Sequence, residues 1–190
     1  MDMLRSEQIA QAGLSDWRKL AQGLHARYRV DDFGGAARFV AAIAEAGDAV
    51  GHRPRVSVRG GCVDLEVVSS DAVFRDDDGT EYVVEWVTQQ DVELARSITQ
   101  VAAEHGLAAD PSAVSEVELG LGDPADGDRG QRLHVEIYVP PETVAARVAD
   151  AVAAGGTVVD DSRAPSLTVI ADQDGNTAVV CADVAAAPRA

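Results

Sequence analysis

Aromatic side chains make up only 4% of the 190 residues, three Phe, three Tyr and two Trp, so a surface that stacks flat rings has few side chains to draw on. Lysine is scarcer still. Lys19 is the sole one, beside Trp17 and Arg18, and nothing in its surroundings marks it as desolvated, which leaves a Schiff-base mechanism without a candidate. Positive charge is short overall, with 16 Lys+Arg against 32 Asp+Glu and a formal net charge of -16, and neither half of the chain is basic. Nucleic acid and anionic membrane must be met by clustered positive charge, so neither is expected as a direct partner. No run of about 18 apolar residues occurs, and Met1 to Glu7 opens no apolar stretch, so neither a membrane span nor a leader is expected, and the protein is expected to be cytoplasmic. The two cysteines, Cys62 and Cys181, lie in apolar, strand-like segments with no Cys-x-x-Cys or Cys/His cluster. They are expected as buried thiols, not zinc or redox ligands.

What the chain does have is a hydrophobic share of 46%, ordinary for a folded protein, at a length that allows one domain or two small ones. Ser6 with Gly13 reads as a short capped helix. In Leu24 to Val30 the apolar Leu, Ala, Tyr and Val alternate with His25, Arg27 and Arg29, the period of a half-buried strand. Asp32 caps a helix over 33–50, with Ala36, Phe39, Val40, Ile43 and Gly47 on one face, that must end by His52 because Pro54 follows. Val56 and Val58, then Gly60-Gly61, then Val63, Leu65 and Val67 predict a β-hairpin. Asp76 to Gly79 reads as the tip of another. Thr88-Gln89-Gln90-Asp91 opens a helix as a capping-box variant, with Gly106 as its stop. Strands are predicted over 114–121 and in Leu133 to Val139, a linker over 122–130, a helix from Pro140-Pro141-Glu142 to Gly155-Gly156, and three strands at 157–159, 167–170 and 178–181. Residues 132–182 thus read β-α-β-β-β, followed by a frayed tail over 185–190.

With these elements placed, the early Trp17, the strand ending in Phe33, the helix leading to Gly51-His52-Arg53-Pro54, the following hairpin and Asp91 in a Thr-x-x-Asp helix start resemble the pterin-4a-carbinolamine dehydratases over roughly residues 5–106. The resemblance implies an α+β fold, an antiparallel sheet with helices on one face, and a lyase that removes water from a pterin carbinolamine without metal or dissociable cofactor. Two adjacent histidines before the proline, a third at the end of the hairpin's second strand and an aspartate opening the last helix form that family's site. His52, Pro54 and Asp91 match it. Arg53 stands where the second histidine is expected, and Ser70 or its neighbour Asp71 stands where the third is expected. About ten extra residues around Asp76 to Trp86 precede Asp91.

The second half resembles a single βαβββ module of the glyoxalase and bleomycin-resistance, or vicinal oxygen chelate, type. Leu133-His134-Val135-Glu136 is similar to its histidine-bearing strand, and Ala171 to Asn176 to the turn before its last strand. Val179 occupies the place of the glutamate ligand, so no metal is expected there. The expected organisation is a dehydratase-like domain over 1–108, a strand and linker over 109–131, the module over 132–184 and a tail over 185–190. A lone four-stranded module leaves a sheet face open, which points to a homo-oligomer or packing on the first half.

His52 is the expected catalytic group, because an imidazole both gives and takes protons near neutral pH; a helix-end cap is its other reading. Arg53, Pro54, Ser70 and Asp91 are expected to contact the substrate. Arg53 stays charged and so offers hydrogen bonds, not base catalysis, and Asp91 is also a good helix N-terminal residue on its own account. Asp76-x-Asp78-Gly79 and Asp172-x-Asp174-Gly175 have calcium-loop spacing in part but carry Phe74 and Ile170 in the first ligand place. His25 and His105 are expected on the surface. The competing class of function is a non-catalytic pterin-binding or assembly module that has kept the fold and lost the chemistry.

Overall fold

The computed structural model describes residues 1–121 and 133–186. The linker expected over 122–130 and the side chain of His134 lie outside what is described. The chain forms two compact units, Met1–Val114 together with the chain end from Ala185, and Ser115–Val184. Among the described residues no helix is long and apolar enough to cross a membrane.

The first unit runs α1 (Ser6–Gln11), β1 (Arg18–Leu20), β2 (Gly23–Arg29), α2 (Phe33–Val50), β3 (Arg55–Arg59), β4 (Cys62–Val67), β5 (Ser69–Arg75), β6 (Glu81–Trp86) and α3 (Gln89–Glu104). Four strands make an antiparallel sheet in the order β1-β2-β4-β3, and β5-β6 is a separate hairpin. Alternation decides the faces. Leu24, Ala26 and Tyr28 of β2 and Val63, Leu65 and Val67 of β4 point into one core with Ala36, Phe39 and Ile43 of α2 and Leu94, Ile98 and Ala102 of α3. Tyr28 packs edge-on to Phe39 at 5.3 Å between ring centres, and its hydroxyl donates to Asp16 at 3.0 Å. Burial and the nearby Asp16 charge push that phenol's pKa well up. The fold is therefore the α+β arrangement expected, helices on one sheet face.

Several local expectations are corrected. Arg5, not Ser6, sits at the cap of α1. Phe33 does not end a strand; it opens α2 and is exposed. β1 was not legible, because three residues carry no period. Cys62 is only half-buried, while Cys181 is buried, with its thiol pushed up to about 11, chiefly by that burial. Lys19 is desolvated after all: it is 4% exposed, its ammonium lies 3.9 Å from the centre of the Trp86 ring and it donates to the carbonyl of Ala21. His25 is likewise no surface residue. It is 7% exposed, its Nε2 has no hydrogen-bond partner, and burial, then the charge of Lys19, lowers its pKa from 6.5 to about 4. Desolvation disfavours the charged imidazolium, so His25 is neutral in the folded state. His105 is exposed as expected.

The second unit contains β7 (Glu116–Leu121), β8 (Leu133–Tyr138), α4 (Val144–Ala153), β9 (Thr157–Arg163), β10 (Leu167–Ala171) and β11 (Thr177–Cys181). Its sheet has the order β7-β8-β11-β10-β9, with β8 and β11 parallel and the other neighbours antiparallel. The module is thus five-stranded, not four, because β7 pairs with β8. α4 covers one face, packing Val144, Val148 and Ala151 on Ile137, Val139, Ile170 and Val180. Gly156 permits the close approach, since a Cβ there would lie 2.8 Å from Ile170 and 2.9 Å from the Ala151 carbonyl. On the opposite face the Tyr138 hydroxyl donates to Glu136 at 2.5 Å.

Candidate active site

The end of α2 sets His52. Gly51, at φ +67°, closes the helix in a Schellman arrangement: its N–H reaches the Asp48 carbonyl, and the His52 N–H reaches the Gly47 carbonyl at 3.1 Å. Gly47 is needed for a second reason. A Cβ on it would lie 2.7 Å from the His52 carbonyl oxygen, so the turn carrying His52 can close only over a glycine.

The start of α3 sets Asp91. Thr88 is the N-cap, and its backbone N–H and its hydroxyl each donate to Asp91 Oδ2 at 2.7 Å. The Ser69 hydroxyl reaches the same oxygen at 2.7 Å and lies 3.0 Å from the Thr88 hydroxyl. The other carboxylate oxygen, Oδ1, stands 2.7 Å from His52 Nε2. Asp91 is 0% exposed and the His52 side chain 16%. A completely buried carboxylate is tolerated because both its oxygens are hydrogen-bonded.

Outside this pair lies a cleft of about 550 Å³ whose walls include His52, Arg53, Arg55, Ser69, Ser70 and Asp71, with Asp48 and Glu85 at its margins. Arg53 is an open surface residue, its side chain 80% exposed, paired with Asp48 at 2.9 Å. Arg55 bridges Glu66 at 2.8 Å and Glu85 at 2.5 Å. Of the residues singled out from the sequence, His52, Arg53 and Ser70 share the cleft. Pro54 is half-buried beside it and is not part of its wall. Asp91, expected against the substrate, sits behind His52 with no exposed surface. Sequence reasoning missed Ser69, although the inward alternation of Val63, Leu65 and Val67 runs on in phase to it; the capping box Thr88-x-x-Asp91 was the other signal that a polar cluster would gather there. No Phe, Tyr or Trp ring lines the cleft among the described residues. Trp17, Tyr28 and Phe39 are spent in the core, and Phe74 and Tyr82 pair on the β5-β6 hairpin at 6.2 Å. The described residues contain no group of three or more His, Cys, Asp or Glu arranged to hold a metal.

A family model described as pterin 4 alpha carbinolamine dehydratase matches residues 2–101, a span that carries α1 through most of α3 and every residue of the cleft. Among solved structures, the chain is similar to a transcriptional coactivator/pterin dehydratase from Brucella melitensis, at 20% identity and a TM-score of 0.43, over 53% of this chain and 99% of that one. No curated protein matches.

Proposed function

Because this chain belongs to the pterin 4 alpha carbinolamine dehydratase family, we propose that the cleft at His52 removes water from a 4a-hydroxytetrahydropterin. The observation carrying this reading is an imidazole in a cleft wall with a buried carboxylate behind it. In the reaction the C4a–O bond breaks as the N5 lone pair forms a C4a=N5 bond. The hydroxyl leaves as water with a proton from the acid, and the N5 proton goes to a base, giving the quinonoid dihydropterin. With Arg53 and Ser70 in place of further histidines, His52 serves both steps: it gives its proton to the departing hydroxyl, then takes the N5 proton and returns to its starting state. Arg53 offers planar, paired hydrogen bonds or a stacking face to the pterin. Ser70 offers a hydroxyl, Pro54 holds the turn, and Asp91 orients His52. One positioned acid/base group accounts for roughly 10²–10⁴-fold acceleration, enough to matter because nitrogen-assisted loss of the hydroxyl is intrinsically easy.

The test follows conversion of the 4a-carbinolamine to quinonoid dihydropterin by absorbance. Wild type should exceed the buffer rate, and His52→Ala should lose about 10²-fold or more; if both match buffer, the reading is lost. Arg53 and Ser70, standing where the family's site carries histidines, favour a second reading, a pterin-binding module without turnover. Saturable stabilisation by a pterin in thermal shift, with no conversion, would select it. Our reading also includes a cytoplasmic location and a homo-oligomer, the latter supported by the exposed edge strand β3 with Val56 and Val58 on it; sedimentation of the whole chain tests the oligomer.

A further inference from the structure

We propose that Ser69 and Thr88 are positioning residues which, through Asp91, fix the tautomer of His52, so that Nδ1 is the nitrogen that exchanges protons with the substrate. This rests on the reading of His52 as the acid/base group and adds which nitrogen works and what selects it.

An ionised carboxylate only accepts, and a backbone N–H only donates. Thr88 N therefore commits Oδ2 as an acceptor at 2.7 Å, and the Ser69 and Thr88 hydroxyls converge on the same oxygen at 2.7 Å each. Two hydroxyl protons serve three contacts, the third being the 3.0 Å approach of the two hydroxyl oxygens. Every rotor setting, two direct bonds or a relay in either direction between the two hydroxyls, keeps Oδ2 engaged. The carboxylate plane is thereby held, and Oδ1 is presented to His52 Nε2 at 2.7 Å. An acceptor at that place requires a hydrogen on Nε2 in both the neutral and the charged imidazole. The proton that comes and goes is then the one on Nδ1. No hydrogen bond from the described residues reaches Nδ1, and the ring forms part of the cleft wall.

The local sequence makes the device specific. β5 breaks its pairing register between Ser69 and Ala72, and at that irregularity Ser69 is buried while Ser70 is exposed. Simple stabilisation of the start of α3 would need the Thr88 N–H bond but not the Ser69 hydroxyl, which comes from another part of the chain.

The test reads the ring nitrogens of His52 by NMR of the full chain with ¹⁵N-labelled histidine, assigned with His52→Gln. Wild type should show Nε2 protonated and Nδ1 unprotonated above the titration of the ring. Thr88→Ser, which keeps the hydroxyl, should retain that single pattern; Thr88→Val and Ser69→Ala should add signals of the second tautomer and lower kcat with KM little changed. Ser69→Ala leaves the helix cap untouched and decides the matter if Thr88→Val fails to fold. A wild type protonated on Nδ1, or a folded Ser69→Ala with the wild-type pattern, overturns the proposal. Since the spectra need no turnover, a chain that shows the predicted tautomer but no dehydration would sink the catalytic reading while leaving the assignment of the tautomer to Ser69, Thr88 and Asp91 standing.

Discussion

The two units bury their polar groups in opposite ways. In the first, a core holding Trp17, Tyr28 and Phe39 is deep enough to enclose the Asp91 carboxylate completely, with a hydrogen bond for each oxygen. In the second, a thinner apolar layer under α4 leaves the Tyr138–Glu136 pair half-exposed on the other sheet face. A precisely held polar site thus needs a core behind it: apolar surroundings make each lost hydrogen bond costly, and that cost is what holds the geometry.

The largest test of this contrast removes core. Phe39→Ala should cost about 3–5 kcal/mol, whereas Val152→Ala on the exposed flank of α4 should stay within about 0.5 kcal/mol. Both tryptophans, Trp17 and Trp86, belong to the first unit, so their fluorescence in a denaturant titration reports that unit alone. Far-UV circular dichroism reports both. Two non-coincident transitions, only the fluorescence one moved by Phe39→Ala, would sharpen the contrast; a single shared transition would break it.

A somewhat smaller effect comes from His25. Its pKa is about 4 when folded against 6.5 when free, so between those values the unfolded chain binds a proton that the folded one refuses. Stability therefore falls as pH drops from 6.5 to about 4, by roughly 3 kcal/mol for the whole shift. His25→Gln should flatten that part of the curve, measured as denaturant midpoints at pH 7 and 4.5. An unchanged slope would mean that His25 is not the group responsible.

Gly47→Ala follows. Helix propensity alone favours alanine by about 1 kcal/mol, but the new Cβ would meet the His52 carbonyl at 2.7 Å, an overpacking worth about 1–3 kcal/mol. The net expectation is a modest loss of thermal stability, read as a lower Tm, with a larger loss of the proposed dehydratase rate. Smallest is a spectroscopic change in the second unit. Burial and Glu136 push the Tyr138 phenol above the ordinary tyrosine range, and Glu136→Gln should bring it part of the way down in an ultraviolet titration with no change in the Trp signal.

What could be read from the sequence followed from local rules. The alternation in β2 placed Tyr28 inside, the helix over 33–50 ended at Gly51, and the Thr88-x-x-Asp91 spacing announced the cap that gathers the polar cluster. What could not be read depended on register and distant pairing. The irregularity between Ser69 and Ala72 moves the next inward position to Ala72, three residues on, a step that period-two alternation does not predict, and a one-residue slip inverts a strand's faces without altering its composition. Lys19 and His25 were placed outside by their polarity, yet Trp86 from β6 and the short strand β1 enclose them. Nor could the capping box alone say that Asp91 would meet a side chain 39 residues away.

The enclosure of Lys19 has a practical side. The chain's one lysine is shielded beneath an indole, so amine-acylating reagents meet no free lysine on the native fold. Acylation at Lys19, counted by mass spectrometry over time, becomes a clock for how often the first unit opens. The same clock reads whether a bound pterin slows that opening.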